Sequence, residues 1–208
     1  WVGIFYENSD FGVGVRDVFA DQLAADKVEV VAEQSFLPDE TSDFTTGLTA
    51  LKNANIDLLV LGCSYNEAAL ICKQAVTIGL DVPIASIDAC YSEALLDLGG
   101  DAVNGMMFTA FFSVDNEDEM VQSFVSDYRE AYKMDPNTFS AYAYDAALIA
   151  IDAIRTSGAD RAAINSYLKE VKEFKGVTGY NTFDENGDVS DKEPIIIEVQ
   201  EGKFTVIS

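Results

Sequence analysis

Short apolar segments alternate with helical periodicity over the first 112 residues of this 208-residue chain. Five segments have the length and composition of buried strands: Val2–Tyr6, Val28–Ser35, Leu58–Leu61, Ile84–Ile87 and Met106–Phe112. The segments between them have the periodicity of amphipathic helices, over Phe11–Ala25, Phe44–Asn53 and Ala68–Ile78. Because short apolar strands joined by helices are typical of parallel sheets, this alternation predicts an α/β fold with a parallel sheet covered on both faces.

The apolar side chains of each predicted helix fall on one face, which we expect to pack against the sheet. They are Val15, Val18, Phe19 and Leu23 in the first helix, Leu48 and Leu51 in the second, and Ala69, Cys72 and Val76 in the third. A further helix is predicted over Tyr91–Leu98, after the fourth strand.

The pattern changes from Asp115 onward, where helix follows helix without an intervening strand. These helices are predicted over Glu117–Tyr132, Phe139–Ile154 and Arg161–Val171. On the first of them Met120, Phe124, Tyr128 and Tyr132 recur at every fourth position, which predicts a buried face.

The end of the chain has the pattern of β-structure. Strands are predicted over Tyr180–Phe183, Pro194–Gln200 and Lys203–Ile207. The acidic segment Asp184–Asp188 lies between the first two strands, but its glycine comes too early for an EF-hand loop. We therefore favour a plain turn with Gly187 at positive φ over a calcium site.

Composition excludes several classes of function. The chain has no histidine, which removes the Ser-His-Asp and Cys-His arrangements, and Cys63, Cys72 and Cys90 cannot supply four zinc ligands. The formal net charge of −23 disfavours nucleic acids and anionic membranes as partners. Gly12-Val13-Gly14 is only half of a dinucleotide fingerprint, because no third glycine follows. We therefore predict a protein that is not an enzyme and that uses no cofactor and no metal.

Ligands of parallel sheets bind beyond the C-terminal ends of the strands, so the loops at those ends hold the candidate site residues. The candidates are Phe11 after the first strand, Ser64 and Tyr65 after the third, and Asp88, Ala89 and Cys90 after the fourth. A carboxylate at this edge would bind an ammonium group through a charge-assisted hydrogen bond, while aromatic rings and a hydroxyl would line a small-molecule site.

Three of these residues also have a structural interpretation, and the sequence leaves both interpretations open. Asp88 is a good N-cap for the helix predicted over Tyr91–Leu98. Ser64 could cap its own helix, and Phe11 could form a hydrophobic staple at a helix start.

Several segments of the chain occur together, in the same order, in one known family. They are Phe5–Gly14, Asp43-Phe44 with Leu48 and Leu51, Asn55–Asp57, Gly79-Leu80 before Pro83, Gly105-Met106, Ala141–Ala146 and Phe183–Asp188. In this ordered set the chain resembles the substrate-binding proteins of branched-chain amino-acid ABC transporters. The resemblance extends over essentially the whole sequence.

The resemblance implies a type I periplasmic-binding-protein fold, in which two α/β lobes close on a ligand in the cleft between them. Residues 1–112 would form the second lobe, residues 113–176 would be helices of the first lobe, and residues 177–208 would return to the second lobe. The first strands of the first lobe have no counterpart here, so the resemblance also implies that the sequence is part of a longer protein.

The resemblance assigns roles to some candidate residues. Asp88 matches the acidic residue that binds the ligand's α-ammonium group, although glutamate is the commoner choice in leucine-type members. A tyrosine usually occupies the place of Ser64, so the chain departs from the family there, and Tyr65 is a possible substitute. An aromatic residue at the place of Phe11 agrees with the family pattern.

The function implied is that of the solute-binding component of an ABC importer. Such a component lies outside the cytoplasm, in the periplasm or anchored by a lipid at the outer face of the cell membrane. It would deliver an amino acid or a related small amine or amide to a membrane permease. A ligand-sensing receptor module of the same fold and a flavodoxin-like enzyme are the alternatives.

Overall fold

The chain divides into two structural units in a computed structural model that describes residues 1–190 and 192–207. Unit 1 comprises Trp1–Thr109 and Ile196–Ser208, and unit 2 comprises Ala110–Ile195. In chain order the elements are β1 (Val2–Glu7), α1 (Asp10–Ala25), β2 (Val30–Phe36), α2 (Thr45–Asn53), β3 (Leu58–Gly62), α3 (Tyr65–Thr77), β4 (Ile84–Ser86), α4 (Glu93–Gly99), β5 (Met107–Ala110), α5 (Glu119–Tyr132), α6 (Thr138–Ser157), α7 (Arg161–Lys169), β6 (Phe174–Gly176), β7 (Gly179–Phe183), β8 (Val189–Ser190), β9 (Ile195–Gln200) and β10 (Lys203–Val206).

Unit 1 is built around a sheet with the strand order β10-β9-β5-β4-β3-β1-β2. The neighbouring pairs among β1 to β5 are all parallel, whereas β9 and β10 form an antiparallel pair. The predicted parallel α/β sheet is therefore confirmed. Nearly every residue of β1 and β3 is buried, as expected for central strands that are covered on both faces.

Three phenylalanines form an aromatic cluster in the core of unit 1. Phe5 of β1, Phe36 of β2 and Phe44 before α2 pack edge to face, with ring centroids 4.9 to 6.0 Å apart. All three are buried. Full burial of one such ring stabilises the fold by about 2 to 3 kcal/mol, and each edge-to-face pair adds about 0.5 to 1.5 kcal/mol.

The start of α1 lies against the end of β1 without space for a side chain between them. Ser9 is the N-cap of α1, and its hydroxyl accepts a hydrogen bond from the amide of Gly12. A Cβ atom on Gly12 would lie 2.1 Å from the carbonyl oxygen of Glu7. Only glycine therefore allows this approach, which fixes the first turn of α1 at the end of the strand.

Two predicted core residues of unit 1 are exposed instead. Val18 keeps 71% and Val76 keeps 64% of its surface exposed. Phe19 and Leu23 of α1 pack on the core, and Val18 lies about 100° around the helix from Phe19, outside this stripe. The buried residues of α3 end at Ala75, so Val76 likewise falls just beyond the packed face.

A buried carboxylate anchors unit 2. Asp145 of α6 is 3% exposed and accepts hydrogen bonds from the amide of Val177 at 2.7 Å, the amide of Thr178 at 3.0 Å and the hydroxyl of Thr178 at 2.5 Å. The nearby Gly176 leaves no space for a Cβ atom, which would lie 2.3 Å from this carboxyl group. These bonds tie α6 to the segment between β6 and β7.

The predicted aromatic face of α5 is only partly buried. Phe124 is buried, and its ring lies 4.6 Å from that of Tyr144 on α6. Tyr128 and Tyr132 stack 4.5 Å apart, but Tyr132 at the end of the helix is 64% exposed. The prediction that the whole face is buried is wrong, because the packing in the described part of unit 2 stops short of the last turn of α5.

Short strands of unit 2 were not predicted. β6 and β8 contain three and two residues, and both pair antiparallel with β7. The turn before β8 follows the prediction, since Gly187 has φ of 90° and the carboxylate of Asp184 accepts hydrogen bonds from the amides of Asn186 and Asp188.

Within the described ranges, none of the helices combines the length and the apolar character needed to cross a membrane.

Candidate functional site

The candidate site lies at the edge of the unit 1 sheet where the parallel strands end. In the β1–β3 register Tyr6 is opposite Gly62, and β4 lies next to β3. The loops and helix starts that follow these three strands carry the predicted residues Phe11, Ser64, Tyr65, Asp88, Ala89 and Cys90. The sheet thus places the predicted residues on adjacent connections at one edge.

Asp88 is the first residue of a short 3₁₀ turn, Asp88–Cys90, and its side chain is half-buried. The interpretation of Asp88 as a helix cap is wrong. The next helix begins at Glu93 and is capped by Ser92, whose hydroxyl accepts a hydrogen bond from the amide of Ala94. The loop contains a second residue that can cap a helix, Ser92, and the 3₁₀ turn separates Asp88 from α4.

Ser64 is the N-cap residue of α3 by position, but its hydroxyl makes no capping hydrogen bond. The helix begins at Tyr65, three residues before the predicted start at Ala68. Tyr65 is half-buried, and Phe11 in the first turn of α1 is 45% exposed. Both aromatic residues are therefore fixed to helix starts at the sheet edge.

Ala89 and Cys90 are buried in unit 1. The sulfur of Cys90 lies 3.2 Å from the hydroxyl of Ser86 and 3.8 Å from the carbonyl oxygen of Cys63. Burial raises the pKa of the Cys90 thiol to about 12, so the thiol is neutral at physiological pH. That these two residues contact a ligand stays a prediction.

The other two cysteines are also free and buried. Burial raises the pKa of Cys72 to about 12 and that of Cys63 well above its usual range. A thiol that stays protonated is neither a nucleophile nor a metal ligand. Among the described residues, no group of three or more Cys, Asp or Glu side chains is arranged to hold a metal ion.

Two glutamates at this edge were not singled out from the sequence. Glu7, the last residue of β1, is 9% exposed and accepts a hydrogen bond of 2.6 Å from the hydroxyl of Ser9. Glu67 lies in the first turn of α3, and its pKa is raised, first by burial and then by the negative charges of Glu7 and Asp39. The edge is therefore electronegative, which favours a ligand with a positive group.

The sequence of this chain is similar to those of known binding proteins. A family model described as periplasmic binding protein matches residues 1–202. The Leu/Ile/Val-binding protein of Escherichia coli (strain K12) is 27% identical over 189 residues, which are 90% of this chain and 50% of that protein. The chain thus spans about half the length of this curated relative.

Two solved structures are similar over nearly the whole chain. The leucine binding protein LivK from Thermotoga maritima has a TM-score of 0.90 and 27% identity, covering 100% of this chain and 59% of that one. The branched-chain amino acid transporter substrate-binding protein LivJ from Streptococcus pneumoniae, in complex with isoleucine, has a TM-score of 0.85 and 28% identity, with 99% and 60% covered.

Proposed function

The chain belongs to the periplasmic binding protein family and has its type I fold, and on this premise we propose that it is part of an extracytoplasmic solute-binding protein of an ABC importer. Its ligand is an amino acid or a related small amine, which it delivers to a membrane permease. The proposal is supported by the Leu/Ile/Val-binding relative and by the isoleucine complex of LivJ. It involves no chemical reaction on the ligand.

The observation that carries the proposal is the position of Asp88 at the end of β4, on an electronegative sheet edge. A half-buried carboxylate forms a stronger hydrogen bond to an ammonium group than to a neutral donor. The surrounding negative charge of Glu7 and Glu67 adds attraction for the same group. Asp88 therefore binds the α-ammonium group of the ligand.

The remaining candidate residues shape the site around this ion pair. Phe11 and Tyr65 supply aromatic walls from the starts of α1 and α3. The hydroxyl of Ser64, which makes no capping bond, is a hydrogen-bonding group for the ligand. Backbone groups of Ala89 and Cys90 complete the site, since the side chains of both residues are buried.

The domain assignment is part of the same proposal. The family resemblance assigns residues 1–112 and 177–208 to the second lobe and residues 113–176 to the first lobe. Because residues 177–195 group with the helices in unit 2, we assign unit 1 to the second lobe and unit 2 to the first lobe. The first lobe's remaining elements lie in the part of the family's length that this chain does not span, which is supported by the coverage of 50% to 60% of the relatives.

The test is a thermal-shift screen of the full-length protein against amino acids and small amides, followed by titration calorimetry with the best ligand. Ligand that binds the folded state raises its melting temperature. Asp88→Asn is expected to weaken binding by about 2 to 4 kcal/mol, which is roughly 30-fold to 1,000-fold in the dissociation constant.

Asp97→Asn, at an exposed position on α4, is the matched control and should bind like the wild type. The 2-hydroxy analogue of the ligand, which lacks the ammonium group, should bind wild type and Asp88→Asn equally weakly. Unchanged amino-acid affinity in Asp88→Asn would remove Asp88 from the site.

A further inference from the structure

The 3₁₀ turn Asp88–Cys90, here called the Asp88 turn, is held against the sheet of unit 1 from two sides. On the first side, the sulfur of Cys90 lies 3.2 Å from the hydroxyl of Ser86. That hydroxyl donates a hydrogen bond of 2.9 Å to the carbonyl oxygen of Leu61 on β3. These contacts connect the last residue of the turn to β3 and β4.

On the second side, the turn is held by an aromatic ring. Tyr91 follows the turn directly, and its amide donates a hydrogen bond of 2.9 Å to the carbonyl oxygen of Asp88. Tyr91 is 3% exposed, and its ring lies 4.7 Å from that of Phe204 on β10 and 6.3 Å from that of Phe108 on β5. Because the backbone of Tyr91 is bonded to Asp88, a displacement of the Tyr91 ring also displaces the carboxylate.

Phe204 is fixed to the sheet independently of the Asp88 turn. On β10 it pairs with Val199 of β9 in the antiparallel register. The amide of Val199 donates to the carbonyl oxygen of Met106 at 2.9 Å, and its carbonyl oxygen accepts from the amide of Gly105 at 2.8 Å. The Phe204 ring also packs edge to face on Phe108, with centroids 5.7 Å apart. The sheet thus presents Phe204 as a firm support for Tyr91.

We infer that Phe204 is a positioning residue of the amine site and holds Asp88 in place through the ring of Tyr91. The inference rests on the proposed function and extends it to β10, a strand that contributes none of the proposed site residues. A charged hydrogen bond needs a carboxylate at a set distance and direction, and a mobile turn loses conformational entropy when a ligand orders it. The packing of Phe204 on Tyr91 removes this cost before the ligand arrives.

The test is titration calorimetry of the full-length protein with L-leucine and with 2-hydroxyisocaproate, its analogue without the ammonium group. Phe204→Leu should weaken binding of L-leucine about tenfold but that of the analogue less than about twofold, because only the amine uses Asp88. Phe204→Tyr keeps the ring and should bind L-leucine like the wild type.

Phe19→Leu is the matched control for the loss of a half-buried ring from unit 1. Phe19 lies on α1 and packs on the cluster of Val2, Ile4 and Val60. This variant should lose stability as Phe204→Leu does, and should bind L-leucine like the wild type. Thermal melting of both variants compares their stabilities.

Hydrogen exchange of the free protein gives a measurement that does not depend on a ligand. The amides of Cys90 and Tyr91 donate to the carbonyl oxygens of Ile87 and Asp88. Because such turns open locally, both amides should exchange at least about fivefold faster in Phe204→Leu than in the wild type, and no faster in Phe19→Leu.

The two measurements separate this inference from the proposed function. If Asp88→Asn weakens binding of L-leucine and Phe204→Leu does not, or if the exchange of the two amides is unchanged, Phe204 has no positioning role and the amine site stands. If the wild type binds no L-leucine, the result counts against the proposed function, and the exchange rates alone decide whether Phe204 positions the Asp88 turn.

Discussion

Unit 1 and unit 2 contain similar amphipathic helices but differ in what covers them. In unit 1 the helices accompany a sheet whose central strands are buried on both faces, and the aromatic cluster of Phe5, Phe36 and Phe44 is sealed from solvent. In unit 2 the helix α6 is apolar on nearly every side, yet Phe139, Ile151 and Ile154 are about half exposed. A helix of that composition is typical of a position with neighbours on several sides.

The difference shows that apolar periodicity reports a requirement for burial rather than burial itself. The same pattern predicts a packed face in α1, where Phe19 and Leu23 find the core, and in α5, where Tyr132 does not. The fold of unit 1 is consequently held by apolar packing. In unit 2 the hydrogen bonds of Asp145 supply an important part of the tertiary organisation.

The largest effect is expected from truncating the aromatic cluster of unit 1. Phe44→Ala should lower the free energy of unfolding by about 4 kcal/mol, because it removes a buried ring and leaves a cavity. Tyr132→Ala, on the exposed end of α5, should cost less than about 1 kcal/mol. Urea denaturation of both variants measures the contrast, and similar losses would mean that α5 is as well packed as the sheet.

A somewhat smaller loss of stability is expected when Asp145 in unit 2 is replaced. Asp145→Ala should lower the free energy of unfolding by about 3 kcal/mol, because it leaves buried amide donors of Val177 and Thr178 without acceptors. Asp127→Ala, at an exposed position on α5, is the control and should change stability by less than about 0.5 kcal/mol. If both variants unfold at the same urea concentration, the polar anchor is not what holds unit 2.

The smallest effect on stability is expected from replacing Glu67 at the sheet edge of unit 1. Because the pKa of Glu67 is raised above its ordinary value of 4.5, the folded state binds this proton more tightly than the unfolded state. The contribution of Glu67 to stability is thus most favourable below 4.5 and is lost as the pH rises through the folded-state pKa. At neutral pH, Glu67→Gln should therefore have a slightly higher melting temperature than the wild type.

Melting curves between about pH 4 and pH 7 measure this difference, which should close as Glu67 becomes protonated. Glu93→Gln, at an exposed position in the first turn of α4, controls for the loss of one negative charge. A difference that persists unchanged at low pH would mean that Glu67 acts through packing rather than through its charge.

The strand-helix order of unit 1 could be predicted because each element has its own local signal. Strands such as β1 are continuous apolar segments, and Ser9 and Gly12 mark the start of α1. The two short strands β6 and β8 have no comparable signal, because pairing with β7 defines them. Residues at strand ends could likewise be listed from the sequence, since topology alone gathers them at one edge.

The details of the site depended on neighbours that are distant in sequence. The sulfur of Cys90 lies near the carbonyl oxygen of Cys63, 27 residues away in the sequence. The cap at Ser92, by contrast, is a local signal only four residues from Asp88. The electrostatic coupling of Glu67 to Glu7 and Asp39 joins three separate connections of the sheet. Such effects require the tertiary structure, because no local spacing encodes them.

The close approach of Gly12 to Glu7 has a consequence for the proposed amine site. With backbone against backbone, α1 cannot slide toward the strand to narrow the site, and any larger residue at Gly12 would force it outward. The position of Phe11 relative to the end of β1 is therefore fixed. At the proposed amine site, a different ligand would therefore require substitutions at the helix starts, for example at Phe11 or Tyr65, rather than a shift of α1.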